Sequence, residues 1–408
     1  MRATLSPTLV VDAFPAAHRS LRVALVTETF PPEINGVATS IARVVAGLRE
    51  RNHELQLIRP RQGADDDPEG STRFHEILMR GLPIPRYSNL QIGLPDARTL
   101  KRHWMERRPD VVHVATEGPL GWSAIRTALR LRLPVTSDFR TNFHAYSKHY
   151  GVGWLHKPIM AYLRKFHNQT RCTMVPTRQL QRSLDEYGFR NLRVVARGVD
   201  VHQFTPTRRS DDLRRAWGAK PDTLVVVHVG RLAPEKNLPT LLTSFEAIRS
   251  VAPNAKLVLV GEGPARKALQ AQCPHAHFAG SRRGEELAAH YASGDVFLFP
   301  SLTETFGNVT TEAMASGLPV LAYDYAAAGE LIRSGYNGFL APLEDPARFV
   351  NQARELAGDR KQLASIGARA RESALALRWE QIVEQIESVF FSTIDTAETT
   401  RRAELVQA

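Results

Sequence analysis

Short apolar runs alternate with segments of helical periodicity along most of the chain, and this alternation constrains the fold most strongly. In the first half, the segment from Val37 to Arg51 carries apolar residues at helical spacing and follows the first apolar run. Alternating strands and helices predict a parallel sheet that helices cover on both faces. The predicted strands of this half are Leu21–Thr27, Glu54–Pro60, Val111–Ala115, Val135–Phe139 and Thr173–Pro176.

The second half repeats the same alternation. Its predicted helices are Leu238–Val251 and Arg266–Gln272, and its predicted strands are Leu224–Gly230, Lys256–Gly261, Val296–Pro300 and Pro319–Tyr323. The fold class is therefore α/β, with two doubly wound parallel-sheet domains of the Rossmann type. Because ligands bind beyond the carboxyl ends of such strands, we expect the two sheets to face a common cleft.

The length of 408 residues agrees with two domains. Pro7, Asp12 and Pro15 interrupt the apolar stretch at the start of the chain, which argues against a signal peptide. We expect a disordered tail over 1–20, a first domain over 21–197, a linker over 198–220, a second domain over 221–378, a final helix over 379–392 and a polar tail over 393–408.

The excess of basic over acidic side chains lies entirely in the first half of the chain. Residues 1–200 carry 30 basic and 18 acidic side chains (30 − 18 = +12), and the remainder carries 23 and 24 (23 − 24 = −1). This asymmetry favours a polyanionic partner, either nucleic acid, an anionic membrane or an acidic acceptor, although a merely solvated basic surface is the alternative. Zinc-finger spacing and RNA-binding aromatic motifs are missing from the sequence, so nucleic acid is not expected.

Membrane-spanning helices are not expected, because no run of about 18 apolar residues occurs. Cys172 and Cys273 lie far apart without metal-ligand spacing, which indicates free thiols in a reducing compartment.

The polar segment Gly230–Asn237 follows a predicted strand and precedes a predicted helix. Arg231 offers a planar guanidinium and Lys236 a compact ammonium, a combination that suits a pyrophosphate. The positive end of the following helix adds to this attraction. The alternative is ordinary surface charge near the start of a helix.

A second polar cluster carries Glu304 and Glu312, eight residues apart. If Glu304 ends a loop and Glu312 lies in the following helix, both carboxylates reach one cleft and can accept hydrogen bonds from sugar hydroxyls. The backbone amides of Gly307, Asn308 and Val309 fall at the start of that helix, which suits an anion. Two glutamates at this spacing also occur by chance, and the surrounding Gly and Pro residues make the pattern more specific.

Taken together, these segments resemble the retaining glycosyltransferases of family 4, which have the two-domain GT-B fold. The resemblance covers about residues 21–392, and its front half is similar to the branch of GDP-mannose-dependent alpha-mannosyltransferases and sulfoquinovosyltransferases. The matching motifs are Phe30-Pro-Pro-Glu-Ile-Asn-Gly-Val37, Gly230-Arg-x4-Lys-Asn237, Glu304-x7-Glu312 with the following Ala-Met-Ala-Ser-Gly317-Leu-Pro, and Gly335-Tyr-Asn-Gly-Phe339.

The resemblance implies a role for each matching residue. Arg231 and Lys236 would hold the donor diphosphate, Glu312 the ribose diol and Glu304 the hydroxyls of the transferred sugar. The remaining donor contacts implied are the amides of Gly307, Asn308 and Val309, the loop at Gly36, and Ser281 and Arg282 beside the base-binding edge His277–Gly280. Trp379 would begin a helix that crosses back from the nucleotide-sugar domain to the acceptor domain.

Neither a metal nor another cofactor is expected. The sequence has no Asp-x-Asp pair near the phosphate motifs, and Asp65–Asp67 lie in a distant polar loop. Arg231 and Lys236 already supply the positive charge that a metal would bring.

One position departs from the family pattern, because Arg140 stands where related enzymes carry an active-site histidine. An arginine stays protonated and cannot act as a general base. In the mechanism implied by the resemblance the departing phosphate takes the acceptor proton, so Arg140 is expected to stabilise the leaving group or to bind an acidic donor sugar at the lip of the cleft. His144 is a candidate substitute for the missing histidine, with a purely structural role as the alternative.

The acceptor side is less specific. Trp154–Phe166 and Arg98–Arg108 mix aromatic and basic residues, which suits an interfacial membrane surface, although core-facing stripes with solvated charges explain each segment equally well. We expect transfer of a hexosyl group, from GDP-mannose or a UDP-sugar, to a lipid or glycolipid acceptor by a cytoplasmic enzyme on the inner face of the membrane. The alternatives are an acidic donor sugar, a soluble polysaccharide-precursor acceptor, or a sugar-nucleotide epimerase of the same fold.

Overall fold

The chain forms two parallel sheets covered by helices, which confirms the predicted α/β class. The computed structural model describes residues 19–33, 35–63, 65–84, 87–140 and 156–407. Each sheet is the centre of one domain, which we call the first and the second domain.

The first domain is built on a seven-stranded parallel sheet. Arg22–Val26 lies near its centre and pairs with strands on both sides, so its Val and Leu side chains are buried on both faces. In spatial order the strands are Phe74–Met79, Glu54–Pro60, Arg22–Val26, Val111–Val114, Val135–Asp138, Cys172–Val175 and Leu192–Val194.

The second domain is built on a six-stranded parallel sheet whose central strand, Val225–Val229, is completely buried. In spatial order the strands are His277–Gly280, Lys256–Val260, Val225–Val229, Val296–Phe299, Val320–Tyr323 and Phe339–Ala341.

Helices follow the strands and pack on both faces of each sheet. The first of them begins after Asn35, whose side chain accepts a 2.8 Å hydrogen bond from the backbone N–H of Ala38 and so caps the helix. In the first domain the described helices are Gly36–Glu50, Ala97–Glu106, Pro119–Arg130, His156–His167 and Arg178–Glu186. From the linker onward they are Asp211–Ala216, Leu238–Arg249, Arg266–Gln272, Gly284–Ala292, Asn308–Ala315, Ala326–Leu331, Pro346–Leu356, Arg360–Leu375 and Trp379–Gln407.

The structure adds strands that the sequence analysis does not predict. Phe74–Met79 places the polar residues His75 and Glu76 in an edge strand, and Phe339–Ala341 has only three residues. Neither segment has the continuous apolar run of a central strand, because an edge strand is less buried. Leu192–Val194 and the antiparallel hairpin of Gly81–Ile84 with Tyr87–Gly93 also go unpredicted.

The last helix differs from the expected boundary at residue 392. Instead of giving way to a polar tail, it continues to Gln407. Ile394 is buried in the core of the first domain together with Val389 and Phe390, and this packing carries the helix past the predicted end.

Two chain crossings join the domains and lie side by side. Gly198 leaves the first domain, and a Cβ atom at this position would lie 2.5 Å from Cδ2 of Trp379, where the chain returns. The backbone N–H of Val199 donates a 2.9 Å hydrogen bond to the carbonyl of Leu377. The returning helix is then held on the first domain by Glu387, whose carboxylate accepts hydrogen bonds of 2.6 Å from Arg51 and pairs with His53 at 2.7 Å.

Within the described residues, no helix has both the length and the apolar character needed to cross a membrane.

Candidate active site

The loop with Arg231 and Lys236 lies at the carboxyl edge of the second sheet. It follows the strand Val225–Val229 and precedes the helix Leu238–Arg249, as the sequence predicts. A neighbouring strand supports it through Gly261 and Gly263: Cβ atoms there would lie 1.9 Å from the carbonyl oxygen of Gly230 and 2.3 Å from that of Leu232. These glycines therefore serve close backbone packing.

The structure brings Lys236 and Glu304 together. Their ammonium and carboxylate form an ion pair in which both side chains are largely buried. The Ser301 hydroxyl donates a 2.7 Å hydrogen bond to the same carboxylate oxygen, and the backbone N–H of Leu302 donates to the carbonyl of Glu235 at 3.2 Å. The two polar segments predicted from the sequence thus form one cluster.

Arg231 lies on the same loop but is directed outward. Its side chain is 46% exposed, and its guanidinium lies 3.8 Å from the buried carboxylate of Glu235. An exposed guanidinium on a fixed loop is placed to meet an anion that enters the cleft.

Gly307, Asn308 and Val309 mark the start of the helix Asn308–Ala315, as predicted. Gly307 precedes this helix with a φ of 93°, a backbone conformation that favours glycine. Across the cleft, a Cβ atom on Gly36 would lie 3.6 Å from Nδ2 of Asn308. The predicted loop of the first domain therefore faces the predicted anion-binding helix of the second.

Glu312 lies in that helix and is partly buried. The hydroxyl of the fully buried Tyr291 donates a 2.9 Å hydrogen bond to it. Burial raises the pKa of Glu312 to about 7, and the hydrogen bond from Tyr291 only partly offsets this. Two carboxylates eight residues apart thus have different environments: Glu304 is paired with a lysine, and Glu312 forms no ion pair within the described residues.

Ser281 and Arg282 follow the edge strand His277–Gly280 and are exposed. Arg282 makes an exposed ion pair with Glu286 at 3.4 Å. The structure places both residues at the rim of the second sheet and away from the Lys236 cluster along the sheet order.

Arg140 does not lie exposed at the lip of the cleft, where the sequence analysis expects it. Its side chain is 3% exposed, and its guanidinium lies 2.5 Å from Asp138. Arg197 also binds Asp138, with both nitrogens at 3.2 Å from the carboxylate oxygens. Asp138, two residues earlier in the chain, holds the guanidinium inward, and the role of Arg140 toward the donor stays a prediction.

Two buried cations thus share one buried anion. Burial by itself would raise the pKa of Asp138, but Arg140 and Arg197 outweigh it and hold this pKa well below its ordinary value. Burial, reinforced by the charge of Arg197, lowers the pKa of Arg140 to about 10. Arg140 therefore remains charged at neutral pH, with its guanidinium engaged by the protein.

Three functional contacts lie beyond the reach of the sequence analysis. The hydroxyls of Tyr291 and Ser301 donate to the carboxylates of Glu312 and Glu304, and neither residue lies within the motifs quoted above. Glu28 follows the first strand and accepts a 2.9 Å hydrogen bond from the backbone N–H of Leu120 at a helix start. Burial raises the pKa of Glu28 to about 7. His144 and Trp154 lie outside the described residues.

The domains also meet beside Glu304. The carboxylate of Glu330 accepts hydrogen bonds from the backbone N–H groups of Arg178 at 2.7 Å and Gln179 at 3.2 Å. The side-chain oxygen of Gln179 accepts a 3.1 Å hydrogen bond from the backbone N–H of Ala326. A cavity of about 170 Å³ at this junction is lined by residues of both domains, including Glu304. The carboxylate cluster of the second domain therefore opens toward the first.

Among the described residues, no group of three or more His, Cys, Asp or Glu side chains is arranged to hold a metal ion.

We predict that Asp138→Asn destabilises the protein by about 3–5 kcal/mol, because it leaves two buried guanidinium groups without their anion. Arg140→Met should cost less, since Asp138 and Arg197 then remain as a balanced pair. Urea denaturation of the variants measures both free energies of unfolding.

Asp212→Asn is the matched control, because the pair of Asp212 with Arg215 is exposed and should contribute little. A larger loss of stability from Arg140→Met than from Asp138→Asn would contradict the proposed charge balance.

Comparison with known proteins agrees with this geometry. The chain is 36% identical over 375 residues to a GDP-mannose-dependent alpha-mannosyltransferase of Mycobacterium tuberculosis, an alignment that spans 90% of this chain and 95% of the relative. It is 30% identical to the sulfoquinovosyl transferase SQD2 of Arabidopsis thaliana, over 91% of this chain and 73% of the relative.

The fold is shared with solved structures. Sucrose-phosphate synthase from Thermosynechococcus elongatus superposes with a TM-score of 0.75 over 93% of this chain and all of that chain, at 20% sequence identity. Two family models match in succession: glycosyltransferase family 4 over residues 34–203 and glycosyl transferases group 1 over residues 223–359. The resemblance predicted from the motifs is therefore confirmed, and the chain belongs to the family 4 glycosyltransferases, enzymes of the GT-B fold.

Proposed function

We propose that this glycosyltransferase binds a nucleotide-diphosphate sugar at the carboxyl edge of the second sheet and transfers its hexosyl group with retention of configuration. The observation that supports this most directly is the cluster of Lys236 and Glu304. It combines a cation suited to phosphate with a carboxylate suited to sugar hydroxyls, beside a helix start and opposite Gly36.

Within this proposal Arg231 and Lys236 hold the diphosphate. Glu304 accepts hydrogen bonds from hydroxyls of the transferred sugar, and Glu312 accepts them from the ribose diol. The amides of Gly307, Asn308 and Val309 contact phosphate or sugar oxygens, and Ser281 and Arg282 lie beside the base. These positions follow the carboxyl edge of one sheet, where ligands of such folds bind.

The chemistry then needs no protein base. The bond between the anomeric carbon and the diphosphate oxygen breaks, the acceptor oxygen bonds to the same carbon, and the acceptor proton passes to the departing diphosphate. Arg231 and Lys236 stabilise the negative charge that develops on this leaving group. Because these cations provide the charge, we propose that the reaction proceeds without a divalent metal.

For the donor sugar we favour mannose carried on GDP. The relative that is 36% identical over most of its length is named for GDP-mannose. The burial of Arg140 on Asp138 argues against the acidic-sugar alternative, because that guanidinium is already engaged by a carboxylate. Because one relative is named a sulfoquinovosyl transferase, an acidic donor sugar is the alternative to test against mannose.

We predict that the protein transfers a hexose from GDP-mannose to a component of a membrane lipid extract. Incubation with separate GDP-sugars and UDP-sugars, followed by mass spectrometry of the lipids, identifies both donor and acceptor. Added EDTA should leave the rate unchanged. Activity that is lost in EDTA and restored by Mg²⁺ would contradict the metal-independent mechanism.

Arg231→Ala and Lys236→Ala should each weaken GDP binding by about 1.5–3 kcal/mol, since each removes a charge-assisted contact. Lys256→Ala is the matched control, because Lys256 begins a strand of the same sheet at the opposite edge. Calorimetry measures the affinities. If both site variants bound GDP as tightly as the control does, the diphosphate would have to bind elsewhere.

The affinity for GDP should rise as the pH increases from 6 to 8. Ribose hydroxyls donate to a carboxylate, and the pKa of Glu312 near 7 means that part of the population is protonated at neutral pH. One proton limits the effect to about tenfold per pH unit below this pKa.

Glu312→Gln is the control for this pH dependence, because the titration of GDP itself is common to both proteins. The variant should bind more weakly and show a flatter pH profile. An identical pH profile in the two proteins would exclude Glu312 from the binding equilibrium.

The same titration affects the free energy of unfolding. Since the pKa of Glu312 is raised, its contribution to folding is favourable below about pH 4.5 and is lost as the pH rises through 7.

The helix Ala97–Glu106 supplies a candidate membrane surface in the first domain. Its aromatic residue Trp104 is fully buried, so the predicted aromatic contribution is wrong for this helix. A different stripe faces outward, since Arg98, Lys101 and Arg102 are exposed and Met105 is 66% exposed. These positions are spaced i, i+3, i+4 and i+7 and therefore share one helix face.

The second candidate segment divides in the same way. In the helix His156–His167, Leu163 and Phe166 are buried in the core, whereas Tyr162 is 43% exposed. We propose that the exposed basic stripe of Ala97–Glu106 docks on anionic lipid and brings the cleft to a lipid acceptor.

Replacing Arg98, Lys101 and Arg102 with alanine should reduce sedimentation with anionic vesicles at least tenfold, at about 1 kcal/mol for each basic residue near the surface. The matched control replaces Arg348, Arg354 and Lys361, three exposed basic residues of the second domain. Equal loss in both triple variants would indicate nonspecific charge attraction, and equal binding to neutral vesicles would contradict the proposed surface.

A further inference from the structure

His228 is a fully buried histidine, and one of its ring nitrogens lacks a hydrogen-bond partner among the described residues. It lies in the central strand Val225–Val229 of the second sheet, and its Nδ1 is 2.9 Å from the carbonyl oxygen of Leu298. A carbonyl only accepts hydrogen bonds, so Nδ1 must donate. In the neutral ring Nε2 then carries a lone pair, and in the described part of the chain no group donates a hydrogen bond to it.

Charge on this ring is disfavoured. Burial lowers the pKa of His228 to about 4, although its hydrogen bond to Leu298 acts in the opposite direction. The imidazole is therefore neutral at neutral pH, and Nε2 is then a hydrogen-bond acceptor.

The unpartnered nitrogen lies beneath the loop that carries Lys236. A Cβ atom on Gly230 would lie 3.6 Å from Nε2 of His228 and 4.0 Å from Cε of Lys236. Both residues also share Phe299: the ammonium lies 5.3 Å from the centre of this ring, and the imidazole stacks on it with centres 6.0 Å apart. The acceptor and the lysine stem therefore border the same small space, which the glycine leaves open.

Lys236 has a competing partner in the structure, because its ammonium is paired with Glu304. An ammonium has three N–H groups, so Lys236 can donate to further acceptors when a diphosphate binds beside it. A diphosphate oxygen is one. Nε2 of His228 is a buried acceptor that borders the same space as the lysine stem.

We propose that His228 is a positioning residue for Lys236: its Nε2 accepts a hydrogen bond from the lysine ammonium when the nucleotide diphosphate is bound. A buried acceptor without a hydrogen bond is unfavourable. A hydrogen bond from Lys236 to Nε2 in the bound state therefore removes this cost and stabilises the complex. This inference rests on the proposed function, because it assigns the diphosphate to Lys236.

A double-mutant cycle tests the coupling between the two residues. His228→Phe keeps a ring that can stack on Phe299 but removes the acceptor. We expect it to weaken GDP binding about tenfold in the native background, and less than about twofold in a Lys236→Met background. Affinities come from calorimetry with GDP, and guanosine is the control ligand because it lacks the diphosphate.

A conservative variant separates positioning from packing. His228→Gln offers an oxygen near the position of Nε2 and should restore most of the GDP affinity that His228→Phe loses, while guanosine binding stays unchanged in all variants. Equal losses in both lysine backgrounds, or equal losses for GDP and guanosine, would overturn the proposal and make His228 a packing residue. Absence of GDP and UDP binding by the native protein would instead overturn the proposed function, and this inference with it.

Discussion

The contact of Trp379 with Gly198 fixes how the two sheets face each other. Any side chain at residue 198 would collide with the indole, so the outgoing and returning chain segments lie directly together. The helix that follows Trp379 is buried in the core of the first domain over more than three turns. The second domain is thus attached at two adjacent points, with its carboxyl edge toward Gly36 and the helix start at Arg178.

Three carboxylates near the junction of the domains have three different environments. Glu304 is paired with Lys236 and held in place by it. Glu312 accepts a hydrogen bond from a tyrosine hydroxyl, and burial raises its pKa to about 7. Asp138 has two guanidinium groups, which hold its pKa far down. Partners and burial, rather than residue type, therefore decide which carboxylate is available to a ligand.

Much of the fold follows from the sequence because central strands of parallel sheets are buried on both faces. The runs at Val296–Phe299 and Lys256–Val260 have few polar interruptions and are predicted to within one residue. Edge strands such as Phe74–Met79 lack this signal. The end of the last helix was also mispredicted, since the burial of Ile394 depends on contacts with a distant part of the chain.

In the candidate site, residues of contiguous motifs are predictable from the sequence, and contacts between distant residues are not. Arg231, Lys236 and Glu304 are found because each lies in a contiguous motif that follows a strand. Tyr291 and Glu312 are 21 positions apart, and Arg197 and Asp138 are 59 positions apart. No local sequence pattern predicts contacts over these distances. For Arg140, the sequence predicts the position after a strand correctly. It does not predict the direction of the side chain, which depends on the charge balance around Asp138.

A crystal structure of the protein with GDP tests the central claim most directly, because it locates the diphosphate and the ribose together. The account predicts diphosphate oxygens within about 3.2 Å of the side-chain nitrogens of Arg231 and Lys236, and ribose hydroxyls at hydrogen-bonding distance from Glu312. A nucleotide bound at the edge of the first sheet, or beyond hydrogen-bonding distance of all three side chains, would contradict it.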